Sequence, residues 1–101
     1  MKPLYLTALL ALTSSTSFAY APALGPAPAG DTQTVAETVI KDNWPNCKRV
    51  VSAKRRKDGA IQARCDKTDY LVFTMFDPRE GRHIEMALNC SASARLMNLK
   101  C

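Results

Sequence analysis

The first pattern along the chain is an apolar residue at every fourth position, at Ala36, Ile40 and Trp44. This spacing gathers the three side chains into one stripe and predicts an amphipathic helix. Thr34 followed by Glu37 matches a capping box, so we expect the helix to begin there. The proline that follows Trp44 ends it.

Beyond the helix, apolar positions alternate with polar ones, which predicts antiparallel strands. Two alternating runs flank a turn that contains Gly59. A two-residue Asp-Gly turn would put basic side chains among the apolar ones. We therefore expect a three-residue loop with Gly59 in the left-handed conformation, which pairs Ala53 with Ala63 and Val51 with Cys65. In this register we expect Val51, Ala53 and Ala63 to face the core.

The second half of the chain predicts two further strands and a tail. Residues 70–76 are apolar at nearly every position, as in a central strand, and residues 77–81 supply proline and glycine for a tight reversal. Alternation resumes over residues 83–90, whereas the tail 91–101 is compatible with a short strand or a helical turn. The predicted fold is therefore α+β, with one N-terminal helix packed on a small antiparallel β-meander of three to four strands.

The first 19 residues, MKPLYLTALLALTSSTSFA, have the features of a secretory signal peptide. One cationic residue precedes an apolar run from Leu4 to Leu12, and small residues end the segment at Ala19. We expect cleavage after Ala19 and an exported protein, either periplasmic or secreted. A retained anchor is the alternative, but the apolar run is about half of the roughly 20 residues that span a bilayer. We expect no membrane span in the mature chain.

Composition divides the rest of the chain into a tether and a domain. Residues 20–30, YAPALGPAPAG, contain three prolines, two glycines and no charge, which predicts a flexible tether. Residues 31–101 then form a single small domain. Removal of residues 1–19 takes Lys2 away and lowers the net charge from +5 to +4, so the mature protein is modestly basic.

Four cysteines in an exported chain predict two disulfides that staple a small core. We favour Cys47 with Cys65 and Cys90 with Cys101, because each pair encloses one local unit. The first pair closes a loop of about 19 residues and should stabilise the fold by about 3 kcal/mol. Against it, Cys65 lies opposite Val51 in the expected register, so Cys47 must curl back. A bridge between Cys65 and Cys90 is the alternative.

No pattern in the sequence indicates catalysis, a metal site or a cofactor. The cysteines lack the spacing of a zinc site, and His83 is the single histidine. His83 and Glu85 share one side of a strand, but an acid and a base without a nucleophile or a pocket do not make a mechanism. We therefore expect a protein that is not an enzyme and that uses no cofactor.

Basic residues of the hairpin form the first candidate binding surface. The expected register places four of them on one face and two at the tip: Lys48, Lys54, Arg56 and Arg64 on the face, Arg55 and Lys57 at the tip. Such a cluster attracts acidic lipid head groups, nucleic acid or an acidic protein. The stretch has no aromatic residue on which bases would stack, which weakens the nucleic-acid hypothesis. The alternative is a solvated face whose lysines prevent aggregation at strand edges.

A second candidate surface is apolar and belongs to the central strand. Tyr70, Val72 and Phe76 project opposite to Leu71 and Phe73, and one three-turn helix covers only one sheet face. Either the first three side chains contact a partner, or the apolar tail folds back over them.

These patterns favour binding over catalysis. The main hypothesis is a non-catalytic protein-binding or accessory module, with a protein partner in the cell envelope or outside the cell. The alternative is a basic hairpin that binds anionic envelope components, such as lipid or polymer, or nucleic acid.

Overall fold

A computed structural model describes residues 23–101. Its elements in chain order are β1 (Leu24–Gly25), α1 (Thr32–Asn43), β2 (Val50–Arg55), β3 (Ile61–Cys65), β4 (Thr68–Asp77), β5 (Arg82–Asn89) and α2 (Cys90–Met97). Two helices and an antiparallel sheet confirm the predicted α+β class. The predicted signal peptide and its cleavage after Ala19 lie outside the described residues.

The sheet is a meander to which one short strand is added. β2, β3, β4 and β5 each pair antiparallel with the next strand along the chain. β4 pairs with β5 along one edge, while its other edge pairs with β3 over residues 68–72 and with β1 at Thr74 and Met75. Because β1 precedes α1, the helix is not the first element, which corrects the predicted N-terminal helix.

α1 begins earlier than the predicted capping box. The Asp31 carboxylate accepts hydrogen bonds from the Thr34 backbone N–H at 2.9 Å and from its hydroxyl at 2.8 Å, which makes Asp31 the N-cap. These bonds, the backbone one first, lower the pKa of Asp31. Glu37 instead lies 3.7 Å from the Lys41 ammonium and accepts from the Val50 N–H at 3.5 Å. Thr34 is therefore inside the helix.

The apolar stripe of α1 covers one face of the sheet, as the spacing predicted. Ala36 and Ile40 are fully buried in the core that α1 forms with β3 and β4. At the end of the helix, Trp44 donates its indole N–H to the Ala87 carbonyl at 2.8 Å. Its ring centroid lies 6.0 Å from that of Tyr70. The helix is thus anchored across the sheet, from β2 to β5.

The β2–β3 hairpin has the predicted three-residue loop. Gly59 has a φ of +89°, and the Arg56 N–H donates to the Ala60 carbonyl at 2.7 Å to close the loop. Ala53 pairs with Ala63, as expected. The turn chemistry and the alternation were therefore sufficient to predict this register.

A β-bulge at Val51 changes the alternation at the start of β2. Val50, not Val51, is the partner of Cys65, and the register shifts between Val50 and Ser52. Val50 is 2% exposed, whereas Val51 is 52% exposed. The predicted core role of Val51 is wrong, because the extra residue of the bulge moves its side chain to solvent.

The tail forms α2, so it is helical and not a short strand, the two structures with which its sequence was compatible. Asn89 caps this helix by accepting a backbone hydrogen bond from its first turn at 2.8 Å. Ser93 is fully buried and donates its hydroxyl to the Leu99 carbonyl at 2.7 Å, which bends the tail back. The tail then packs on Leu71 and Phe73, on the sheet face opposite α1.

Both favoured disulfides are present, Cys47 with Cys65 and Cys90 with Cys101. The Cys47–Cys65 bridge is buried and joins the segment after α1 to the end of β3. The Cys47 N–H donates to the Trp44 carbonyl at 2.9 Å, and this tight turn carries the chain back toward β3. Cys47 curls back in the way that the pairing required.

Residues 23–30, which fall in the range predicted as a tether, lie along the sheet. β1 pairs with β4, and the Ala27 N–H donates to the Gly59 carbonyl at 2.9 Å. The Thr74 hydroxyl donates to the Pro26 carbonyl at 2.9 Å, and Ala27 is 4% exposed. A proline-rich segment is held here because an extended chain at a strand edge needs few backbone donors.

Candidate functional site

The β2–β3 hairpin carries a basic hollow on the sheet face opposite α1. The register pairs Lys54 with Gln62 and Ser52 with Arg64, and Arg56 follows on the same face at the turn. The hollow has a volume of about 880 Å³. We call it the basic groove, and the side chains around it are Ser52, Lys54, Arg56, Lys57, Gln62, Arg64 and Asp69.

Two cations of the basic groove are held by acids. Arg64 Nε donates to Asp69 at 2.8 Å, and Arg56 Nη2 donates to Asp58 at 2.6 Å. These bonds raise the pKa of the Arg64 guanidinium and lower the pKa of the Asp58 carboxyl. Arg56 Nη1 also donates to the Lys100 carbonyl at 2.6 Å. The bonds to the acids orient both guanidinium groups. Because each guanidinium has five N–H donors, both keep donors for a ligand.

Lys54 and Lys57 are the other two cations of the basic groove. Both are exposed, and within residues 23–101 no carboxylate lies within 4.0 Å of either ammonium. A lysine ammonium on its flexible stem follows the charge of a ligand without imposing a geometry. The groove therefore combines two oriented guanidinium groups with two adaptable ammonium groups.

The remaining two basic candidates lie elsewhere. Arg55 donates to three carbonyl groups, those of Ala27 at 3.2 Å, Pro28 at 2.8 Å and Gly59 at 3.1 Å. Its guanidinium holds the N-terminal segment against the hairpin turn, so the Arg55 side chain is not gathered with the other cations of the basic groove. Lys48 precedes β2 and is exposed, but its side chain does not line the groove.

The apolar candidate surface is divided between core and solvent. Val72 is fully buried beneath α1, Tyr70 is half-buried beside Trp44, and Phe76 is 39% exposed. Phe76 packs edge-on against His83, with ring centroids 5.4 Å apart. The helix rather than the tail covers Tyr70 and Val72, because their side chains lie on the face that α1 occupies. Of the three candidates, only Phe76 remains open to a partner.

His83 and Glu85 are exposed on β5, and neither lines the basic groove. The part of the chain from residue 23 onward holds no group of three or more His, Cys, Asp or Glu placed to bind a metal. The same part has no helix that is both long and apolar enough to cross a membrane.

The acids that orient the arginines are not among the candidate residues identified from the sequence. Asp58 follows Arg56 by two residues, a local spacing that does signal the ion pair in a hairpin turn. Asp69 faces Arg64 only through the β3–β4 register. That register depends on where β4 begins, which the sequence pattern placed at residue 70 rather than Thr68.

No family model, no curated protein and no solved structure matches this chain.

Proposed function

We propose that this protein is a non-catalytic binding module that holds anionic ligands in the basic groove. The observation that carries the proposal is the gathering of Lys54, Arg56, Lys57 and Arg64 around one open hollow of about 880 Å³. Phosphate and carboxylate groups are the ligands that oriented guanidinium groups bind best, because their two oxygens match the paired N–H donors.

The charge balance of the groove favours a ligand with several negative groups. Asp58 and Asp69 offset half of the four cations, so a single small anion gains little from the groove. A ligand that spans the groove contacts all four cations at once and displaces their counterions together. Since two of the four cations are paired with acids, between two and four contacts are effective, and the logarithm of the binding constant should fall with the logarithm of salt concentration with a slope of roughly −1.5 to −3.5.

We also propose that the protein works outside the cytoplasm. Two disulfides within residues 23–101 indicate an oxidising compartment. The signal-peptide pattern of residues 1–19, with cleavage after Ala19, supports export to the periplasm or the medium. N-terminal sequencing of the protein recovered from the exported fraction tests this, and a first residue other than Tyr20 would contradict the cleavage site.

The general hypothesis of a protein-binding or accessory module remains compatible with the basic groove. The surface first proposed for it, around Tyr70, does not support it, because Val72 is buried and Tyr70 is shared with the core. A protein partner would therefore be recognised through its acidic groups.

Reversal of charge in the groove tests the proposed function. Lys54→Glu with Arg56→Glu should weaken binding to anionic vesicles or single-stranded DNA about tenfold or more, and wild-type binding should weaken steeply with salt. Lys54→Glu alone is included because Lys54 is exposed and makes no ion pair within residues 23–101, whereas Arg56 also holds the turn.

The matched control is Lys67→Glu with Arg79→Glu, which makes the same charge change at two exposed turn residues outside the groove. Equal loss of binding in the two double variants would mean that net charge alone drives binding. Binding that is absent, or insensitive to salt, in the wild type would contradict the proposed function.

A further inference from the structure

The outer edge of β2 is the exposed side of the basic groove. β2 is the last strand of the sheet and pairs only with β3 among the strands of residues 23–101. An edge strand carries backbone N–H and C=O groups that a further strand can pair with. Ala53 and Arg55 also line the groove. Because the Arg55 side chain lies on the other face of the sheet, its backbone forms this part of the wall.

The hairpin register identifies the outward backbone groups. The Arg56 N–H bonds to the Ala60 carbonyl, so these two residues form a hydrogen-bonded pair. Hydrogen-bonded and non-hydrogen-bonded pairs alternate along an antiparallel ladder. Arg55 and Ala53 are therefore the non-bonded partners of Ile61 and Ala63, and their own N–H and C=O groups point away from β3.

α1 closes the start of this edge but leaves the rest open. Gln33 Nε2 donates to the Val50 carbonyl at 2.5 Å, and Glu37 accepts from the Val50 N–H at 3.5 Å. No comparable cap reaches further along: within residues 23–101, no loop or side chain bonds to the backbone of Ala53 or Arg55. The open segment is short and begins where the helix caps end.

The charge beside this edge selects the partner. A strand added to β2 places alternate side chains directly beside Lys54 and Arg56, because cross-strand neighbours lie about 5 Å apart. A second copy of β2 would bring like charges together there, which is unfavourable. An acidic strand would instead pair each carboxylate with a cation of the groove. Its intervening side chains would lie on the α1 side, near Ala53.

The other outer edge of the sheet lacks this selectivity. Trp44 caps β5 by donating to the Ala87 carbonyl, and the alternation then points the backbone of Glu85 and His83 outward. The residues beside that edge, Glu85 and Arg82 among them, have mixed charge. Glu85 is therefore a suitable control position.

We propose, resting on the proposed function of the basic groove, that the outer edge of β2 binds an extended acidic segment of a partner protein by strand addition. Acidic residues at alternate positions of that segment bind Lys54 and Arg56, while its backbone pairs with Ala53 and Arg55. The ligand of the groove is thus a polypeptide whose backbone is recognised as well as its charge.

Amide hydrogen exchange measured by NMR on the mature protein separates backbone pairing from charge attraction. The first probe is the peptide (Glu-Thr)4, which alternates acid with a residue that favours strands. The second is inorganic polyphosphate of the same total charge, which has no backbone. The peptide should slow exchange of the Ala53 and Arg55 amides about tenfold when about nine-tenths of the protein is bound, since only the free fraction exchanges. Polyphosphate should shift the groove signals without slowing these two amides.

Two further comparisons test the backbone contacts. The peptide with N-methyl groups on the residues that face β2 should bind about tenfold more weakly than (Glu-Thr)4. Ala53→Pro, which removes an outward N–H at a position where an edge strand tolerates proline, should weaken peptide binding to the same extent and leave polyphosphate binding unchanged. The control Glu85→Pro removes an outward N–H on β5, together with a carboxylate that lies outside the groove, and should not weaken binding of either ligand. If Ala53→Pro does not fold, the weaker binding of the N-methylated peptide is the test of the backbone contacts.

The outcomes distinguish the two proposals. Binding of both probes with no protection of Ala53 and Arg55, or with equal protection by polyphosphate, overturns strand addition and leaves the anion-binding groove standing. Binding of neither probe overturns both. Protection that rises with protein concentration in the absence of peptide would mean that a second copy occupies the edge, which also overturns the proposal. Salt-dependent binding of polyphosphate without binding of the peptide would also overturn strand addition. The lysines beside the edge would then serve to prevent aggregation there.

Discussion

At the scale of single residues, position in the fold decides what chemically similar side chains do. Arg55 and Arg56 are adjacent, yet Arg55 binds carbonyl groups of the N-terminal segment while Arg56 faces the basic groove. The cause is the period of two along a strand, which sends neighbours to opposite faces. Val50 and Val51 differ for the same reason, after the bulge has shifted the alternation by one.

Gly59 carries the first prediction at this scale. It has a φ of +89°, and a Cβ at this position would clash with the Pro26 Cβ. Gly59→Ala should therefore lower the free energy of unfolding by more than the roughly 1–2 kcal/mol of a left-handed alanine, because it also displaces the N-terminal segment. Denaturant unfolding measures the loss, and faster exchange of the Ala27 amide reports the displacement.

Gly81→Ala is the control for this change. Gly81 also has a positive φ, +67°, but a Cβ there would meet nothing within 4 Å. Its cost should stay near that of the backbone conformation alone. Equal losses of stability in the two variants would contradict a tight contact between Gly59 and Pro26.

At the scale of elements, hydrogen bonds at the ends decide where helices begin and which strand edges stay open. Asp31 starts α1 in place of the expected Thr34 box because its carboxylate reaches the Thr34 N–H and hydroxyl together. Two side chains of the same helix then close the first residue of the β2 edge at Val50. The start of α1 thus fixes where the uncapped part of that edge begins.

The Asp31 cap predicts a pH dependence of helix stability. Its folded pKa is lowered by the bonds from Thr34, so the ionised cap stabilises α1 above the unfolded pKa of about 4. This contribution should be lost as the pH falls through the lower, folded pKa. Asp31→Asn keeps an acceptor without the charge and should show a smaller loss of stability on acidification than the wild type. Urea unfolding at several pH values measures this.

Asp42→Asn is the control for the cap. Asp42 is exposed near the end of α1 and makes no capping bond in residues 23–101. This variant should follow the wild-type pH dependence. A profile of Asp31→Asn that coincides with the wild type would show that the charge of the cap does not stabilise the helix.

At the scale of the whole molecule, two layers cover the two faces of one sheet, and each is tied by a disulfide. α1 covers the face with Ile61 and Val72, and the Cys47–Cys65 bridge lies in that core. The tail covers the face with Leu71 and Phe73, beside the bridge that ends at Cys101. The basic groove occupies the part of this second face that the tail leaves open.

The order of reduction follows from these environments. The sulfurs of Cys47 and Cys65 are buried, at 5% and 3% exposure of the residues, whereas Cys101 is exposed. A thiolate reductant should therefore reach the Cys90–Cys101 bridge first under native conditions, because exchange requires access to a sulfur. Timed alkylation followed by peptide mass spectrometry measures the order. Earlier labelling of Cys47 and Cys65 would contradict this order.

Features that depend on neighbouring residues were predictable from the sequence alone. The α+β class, the three-residue turn at Gly59, both disulfide pairs and the shared face of Lys54 and Arg64 follow from alternation, turn chemistry and short separations. They were predictable because each involves residues whose geometry is set within one hairpin or one local loop.

The tertiary structure alone decided which of these surfaces remains accessible. It buried Val72 beneath α1, held the N-terminal segment against the hairpin through Arg55, and left the β2 edge without a second strand among residues 23–101. The deciding contacts join residues far apart in the chain, by 43 positions between Trp44 and Ala87 and by 27 between Arg55 and Pro28. The periodicity of a short segment cannot predict such contacts, because they form only once separate elements have packed together.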